Sequence, residues 1–93
     1  MSVLLIAASP SVHSRSGALL SAAAQRLHHH GLPTRTLKLR DLPAQALLHA
    51  DIGDATLREA LASVAEAKTI VIATPIYKAA YSGLLKVFLD LLP

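Results

Sequence analysis

Ser2–Leu20 reads SVLLIAASPSVHSRSGALL, and its parts decide the fold. SVLLIAA (Ser2–Ala8) is an unbroken apolar run of strand length that stops at Ser9-Pro10, as expected of a strand buried on both faces of a parallel sheet. Ser11–Ser14 is a polar loop. From about Arg15 to His30, Leu19, Leu20, Ala23, Ala24 and Leu27 recur at helical spacing and form one apolar stripe. Gly31 stands where a glycine commonly ends a helix. A strand, a short polar loop and an amphipathic helix open a βαβ unit.

Working outward, Pro33–Leu39 (PTRTLKL) is β-prone and half polar, which suits an outer strand. Asp41–Asp51 is an irregular connection with a short apolar turn around Ala46–Leu48. Gly53-Asp54 opens a second helix, with Asp54 or Thr56 as N-cap and Glu59 in the first turn. Leu57, Leu61, Val64 and Ala65 give that helix its inward face. Lys68–Thr74 (KTIVIAT) reads as the second fully buried strand, stopped by Thr74-Pro75, and a third helix is expected over Ser82–Leu92. The alternation of strand and helix predicts an α/β fold with a parallel sheet and right-handed crossovers.

Composition narrows the function classes. Hydrophobic residues make up 53% of the 93 positions and charged residues 16%, against about 45–50% and about 25% in typical soluble domains. The chain is oily for its length, so it buries surface against a partner or belongs to something larger. Disordered chains are poor in apolar residues, and no apolar run approaches the roughly 18 residues of a membrane span. The N-terminus lacks the basic start and cleavage site of a signal peptide, and the chain has no cysteine. A cytoplasmic location fits these features. Net charge is +3 with basic residues scattered, and aromatics are only 3%. Neither nucleic acid nor membrane is therefore expected as a partner.

In open parallel sheets, ligands bind beyond the C-terminal strand ends, where Ser9–Ser16 and Thr74–Ser82 lie. The first loop, SPSVHSRS, leads into a helix start, whose free amides and dipole attract an anion. Its hydroxyls and the Arg15 guanidinium match phosphate oxygens. Without glycine it is neither a dinucleotide fingerprint nor a P-loop, so a monophosphate fits better than a pyrophosphate. The plainer reading is that Ser14 or Ser16 simply caps the helix. The second loop, TPIYKAAYSG, offers a rigid Pro75, an apolar Ile76 and backbone reaching Lys78, which suit a flat aromatic ligand. The plainer reading there is a helix-entry loop whose tyrosines pack on the core. No general acid or base stands out, and His13 is the histidine near these loops. His28–His30 point in different directions at a helix end, so no metal site is expected.

At these two loops the sequence resembles the NADPH-dependent FMN reductases of two-component alkanesulfonate monooxygenase systems, within the flavodoxin-like reductase superfamily. The matching stretches are SPSVHSRSGALL (Ser9–Leu20) and ATPIYKAAYSGLLKVFLDLLP (Ala73–Pro93). The family usually has Arg after the first Ser-Pro; here Ser11 stands there and Arg15 remains. The resemblance covers the whole chain and about half of the family's domain. It implies a flavodoxin-like three-layer sandwich, with 1–93 the N-terminal portion of one FMN-binding domain, strands in order 2-1-3 and the C-terminal half absent. In that arrangement the third strand becomes an exposed edge. The resemblance also implies FMN phosphate at Ser9, Ser14, Arg15 and Ser16, and isoalloxazine contacts at Pro75, Ile76, Tyr77 and Lys78. FMN would bind weakly, be reduced by NADPH and leave to serve an FMNH2-dependent monooxygenase in sulfur acquisition. The missing acid–base group suits hydride passing from nicotinamide to flavin, where the cofactor does the hard step.

Alternatives are a flavodoxin-like electron carrier, a quinone reductase or a non-enzymatic interaction fragment. Electron carriers of this kind are usually acidic, whereas the pI here is about 9.7. A phosphoacceptor receiver domain needs an Asp where Thr74-Pro75 stands. The helix expected at Ser82–Leu92 carries Leu84, Val87, Phe88 and Leu91 on one side, continued by Leu85, Leu89 and Leu92 and interrupted by Lys86 and Asp90. Such a helix needs cover nearly all round, so a homo-oligomer through it is expected, as the resemblance also implies.

Overall fold

The computed structural model describes residues 3–92. Ser2, placed by the sequence at the start of the first strand, and Pro93, the last residue of the second matching stretch, lie outside the described residues. In chain order the elements are β1 (Val3–Ala7), α1 (Arg15–His29), β2 (Thr34–Lys38), a 3-10 turn (Leu39–Asp41), α2 (Ala44–Leu48), α3 (Ala55–Glu66), β3 (Thr69–Ala73), β4 (Ile76–Tyr77), β5 (Ala80–Tyr81) and α4 (Gly83–Leu89).

β1 is the centre of a parallel sheet in the order β2-β1-β3. In register, Val3 stands between Thr34 and Thr69, Leu5 between Thr36 and Val71, and Ala7 between Lys38 and Ala73. VLLIA is buried throughout because it is covered on both faces. Val3, Leu5 and Ala7 meet Leu20 of α1 on one face. Leu4 and Ile6 meet Leu57 and Ala60 of α3, Leu85 and Phe88 of α4, and Ala46 and Leu47 of α2 on the other. Helices on both faces of a parallel 2-1-3 sheet are the flavodoxin-like arrangement expected from the sequence.

Five expectations need correction. Thr69–Ala73 is not buried: Ile70, Val71 and Ile72 are 41%, 37% and 40% exposed, because β3 has β1 on one side and, among the described residues, no strand on the other, the edge foreseen for a 2-1-3 sheet. Leu19, counted in the stripe of α1, is 70% exposed; it lies at the flank of the face that Leu20 buries. In α3 the buried positions are Leu57, Ala60 and Ser63, and Ala65 is exposed. Asp54, one of the two N-cap candidates, caps it, its carboxylate accepting from the Leu57 amide at 2.9 Å, but the first turn holds no acidic residue, so Glu59 lies beyond it. The third helix is shorter than Ser82–Leu92, running over Gly83–Leu89 with Ser82 as N-cap. Leu85 and Phe88 are its buried residues, while Leu84, Val87, Leu89, Leu91 and Leu92 are half-buried against the same core. Lys86 pairs with Asp90 one turn on. No helix among the described residues is long and apolar enough to cross a membrane.

Candidate functional site

Both sequence-nominated loops emerge at the C-terminal edge of the sheet, one from β1 and one from β3. In the first, Ser9 is 2% exposed and its Oγ accepts from the Ser11 amide at 3.1 Å. The Ser11 hydroxyl donates to the His13 carbonyl at 2.9 Å, so the loop holds its shape with its own serines. Ser14 is the N-cap of α1: its Oγ accepts from the Gly17 amide at 2.9 Å. The plainer reading of Ser14 is thus correct as far as it goes. Capping uses a lone pair and leaves the hydroxyl proton free to donate. A Cβ at Gly17 would lie 2.9 Å from Ser14 Oγ, so glycine there is what lets the cap close. Ser16 Oγ is 3.4 Å from Ser14 Oγ.

The first turn of α1 contains no acidic residue, whereas helices generally gain from a carboxylate there. The Arg15 side chain is exposed and has no ion-pair partner among the described residues. A helix start without a carboxylate, fronted by a free guanidinium and two hydroxyls, favours an outside anion. His13 and Val12 stand in solvent.

The second loop is more structured than the sequence suggested. Ile76–Tyr77 and Ala80–Tyr81 pair antiparallel, Tyr77 opposite Ala80, so Lys78 and Ala79 alone make the turn. Both are left-handed, at φ 52° and 63°, the requirement of the type I′ turn that favours Asn-Gly. Alternation is too short over two-residue strands to be read from sequence, and Lys-Ala is not the usual turn signal. Of the expected ring-contact residues, Pro75 is half-buried at the base of this hairpin, and Ile76 (75% exposed), Tyr77 and Lys78 stand out into solvent.

Three residues not nominated from the sequence tie the loops together. Ser82, 1% exposed, caps α4 by accepting from the Leu85 amide at 3.1 Å. Its hydroxyl donates to the Ala8 carbonyl at 2.7 Å, across 74 positions of chain. The Ser82 amide donates to Thr74 Oγ1 at 3.0 Å, closing the hairpin loop at its base. Ala8 in turn donates to the Ala73 carbonyl at 2.9 Å. The sequence signal for Ser82 was its N-cap position; its reach to Ala8 required the tertiary fold.

Two clefts flank the start of α1. A small one of about 270 Å³ lies toward β3, lined by Ser16, Leu19, Val71 and Thr74 among others. A larger one of about 750 Å³ lies toward β2 and includes Ser14, Thr36, Lys38 and Arg40. Ser14 and Ser16 therefore sit at the divide between them, while Pro75–Lys78 border neither. His29 and His30 meet edge to face, 5.9 Å between ring centres; no group of three metal-ligating side chains occurs among the described residues.

The profile of the family described as NADPH-dependent FMN reductase matches residues 1–93. An FMN reductase (NADPH) of Pseudomonas putida is 44% identical over 93 residues, covering all of this chain and 47% of that protein. An FMN reductase (NADPH) of Escherichia coli is 38% identical, again over the whole chain and 49% of its own length. Among solved structures, an NADH:FMN oxidoreductase in its apo form superposes with a TM-score of 0.93 at 40% identity, covering 99% of this chain and 50% of that one. An oxidoreductase from Corynebacterium diphtheriae superposes with a TM-score of 0.83 at 25% identity, over 99% and 55% respectively. The chain spans about half the length of the curated relatives it matches.

Proposed function

The chain belongs to the NADPH-dependent FMN reductase family, and on that premise we propose that its two loops serve NAD(P)H-dependent reduction of FMN, the reduced flavin passing to an FMNH2-dependent alkanesulfonate monooxygenase in sulfur acquisition. The observation that carries the flavin reading is the start of α1, where no carboxylate stands in the first turn and Arg15 has no ion-pair partner among the described residues. The FMN phosphate is held there by Ser14, Arg15 and Ser16. Buried Ser9 acts mainly through the loop, since its oxygen receives the Ser11 amide. The isoalloxazine lies along Pro75, Ile76, Tyr77 and Lys78. The names of the relatives support the flavin and the nicotinamide; the alkanesulfonate partner and the cytoplasmic setting rest on the resemblance of Ser9–Leu20 and Ala73–Pro93.

The residues bind and orient rather than move protons. Arg15 and the amide end of α1 neutralise the phosphate. The hairpin offers apolar surface and backbone groups to the ring edge, and the Ser82–Ala8 and Ser82–Thr74 bonds hold ring loop and phosphate loop at a fixed separation. Bound flavin supplies the hydride-accepting ring, which is why no side-chain acid or base is required.

The Arg15→Ala variant tests this reading. Losing a charge-assisted hydrogen bond costs roughly 1.5–3 kcal/mol, or about 10- to 150-fold in FMN affinity, read by quenching of flavin fluorescence. Riboflavin, which lacks the phosphate, should bind variant and wild type alike. Equal FMN affinity in the two proteins would remove Arg15 from the phosphate site.

A second reading, an interaction fragment without flavin, is favoured by the open β3 edge with its exposed Ile70, Val71 and Ile72. Failure of the chain to bind any flavin would select it. Homo-oligomerisation through Ser82–Leu92 is supported by Leu84, Val87 and Leu91, which the core leaves only half-buried.

A further inference from the structure

The two outer strands of the sheet are unlike. β2 reads TRTLK, with Arg35 and Lys38 exposed and Arg35 paired to Glu59. Charged side chains of this kind keep an edge from pairing with other chains. β3 reads TIVIA and carries no charge. Its exposed surface continues onto α1, where Leu19, 70% exposed, and Ala23 line the small cleft of about 270 Å³ together with Val71.

Backbone direction decides what can pair with this edge. The Ala8 amide donates to the Ala73 carbonyl, so Ala73 turns its backbone polar groups toward β1. By the alternation of a strand, Val71 and Thr69 do the same, and Ile70 and Ile72 turn theirs outward along the open edge. In an antiparallel ladder, residues facing each other alternate between pairs that exchange both hydrogen bonds and pairs that exchange none.

A second copy turned about a two-fold axis through Val71 meets that rule without adjustment. Ile70 of each copy faces Ile72 of the other as a hydrogen-bonded pair. The two Val71 residues face each other as a non-bonded pair, with Cα atoms about 4.5 Å apart. Thr69 faces Ala73 and Lys68 faces Thr74, so no like charges meet. Val71 stands beside Leu5 on the face covered by α1. Both α1 helices then lie on one side of the seam, and the clefts lined by Leu19 open toward each other across it. One contact thus covers both the apolar edge and the apolar flank of α1. Thr74 also begins the second candidate loop, so Lys68 of each copy arrives at the base of that loop in the other.

We propose that the β3 edge docks a second copy of this chain, the two β3 strands pairing antiparallel about Val71 and joining two three-stranded sheets into one. Such a two-fold contact is closed, as in most homo-oligomers. The proposal goes beyond the flavin reading and does not depend on it.

The chain has no cysteine, so Val71→Cys introduces a lone thiol. Across the axis its Cα separation falls in the range that a disulfide spans, and mild oxidation should convert the 9.8 kDa chain to a covalent species of twice that mass. Leu48→Cys, 74% exposed but far from the axis in this register, should stay uncrosslinked under the same conditions. Val71→Lys and Val71→Glu each set like charges face to face, which is unfavourable. Either alone should halve the mass seen by light scattering, with the far-UV circular dichroism of wild type. Mixed in equal amounts, they set Lys against Glu and should restore the wild-type mass, a recovery that misfolded variants would not show. Ile72→Pro removes an amide that faces solvent in the lone chain, where an edge strand tolerates proline, and should also halve the mass. A wild-type chain that is monomeric at every concentration overturns the proposal. So does an unchanged mass in all three variants, or equal crosslinking of Val71→Cys and Leu48→Cys. Capture of a monomeric wild type by the part of the Pseudomonas putida reductase that this chain does not match overturns it too, by giving the edge to a complementary half-domain.

Discussion

Replacing Ser82 by alanine removes one hydroxyl that performs two jobs. As N-cap of α4 it accepts from the Leu85 amide, and losing such a cap costs about 1 kcal/mol. As donor it satisfies the Ala8 carbonyl at 2.7 Å in a fully buried setting; leaving a buried carbonyl unpaired costs roughly 1–3 kcal/mol. The sum is about 2–4 kcal/mol, against a total stability of roughly 5–15 kcal/mol for a domain. With a urea slope near 1 kcal/mol/M, the unfolding midpoint should fall by about 2 M or more, the slope itself unchanged. Ser82→Thr keeps the hydroxyl and should recover most of the loss. Because the same oxygen joins the β1 loop to the hairpin, Ser82→Ala should also weaken FMN binding in protein that is still folded. A stability loss under about 0.5 kcal/mol, the range of ordinary surface substitutions, would show that the Ser82–Ala8 bond does not brace the two loops.

Other outcomes follow from the same geometry. Ala79 sits at φ 63°, where a side chain costs about 1–2 kcal/mol relative to the right-handed region; Ala79→Gly, offset by its added unfolded-state entropy, should raise the urea midpoint slightly, and a fall would argue against a strained turn. Val87→Glu with Leu91→Glu should dissociate any assembly formed through Ser82–Leu92, read by light scattering, whereas a surviving oligomer would place the interface elsewhere. The 93-residue chain given FMN and NADPH should oxidise no NADPH in a steady-state absorbance assay, since it spans about half of its reductase relatives; ordinary turnover would show that these two loops suffice.

The elements legible in the sequence are those whose pattern is long or whose ends are chemically marked. VLLIA announces a buried central strand, and α1 is bracketed by Ser14 and Gly31, the latter left-handed at φ 76°. Lys68–Thr74 shows where reading by hydropathy stops: IVIA is as apolar as LLIA, yet burial depends on whether a neighbour strand is present, which the strand's own residues do not encode. The hairpin escaped because its turn lacks glycine. The two candidate loops were legible as loops, since Ser-Pro and Thr-Pro punctuate the strands. What joins them was not, because a bond between Ser82 and Ala8 spans nearly the whole chain.

The central place of β1 also fixes a timetable. β1 emerges first of the sheet's strands, but its partners follow far behind: Val3 pairs with Thr34 and later with Thr69, and Ala8 waits for a serine 74 positions downstream. At roughly 5–20 residues per second of synthesis, that wait is about 4–15 s. Until Thr34–Lys38 has emerged, an apolar strand that is buried on both faces in the folded sheet has no strand to pair with, and the tie that joins the two ligand loops is made only after all three strands of this sheet are in hand.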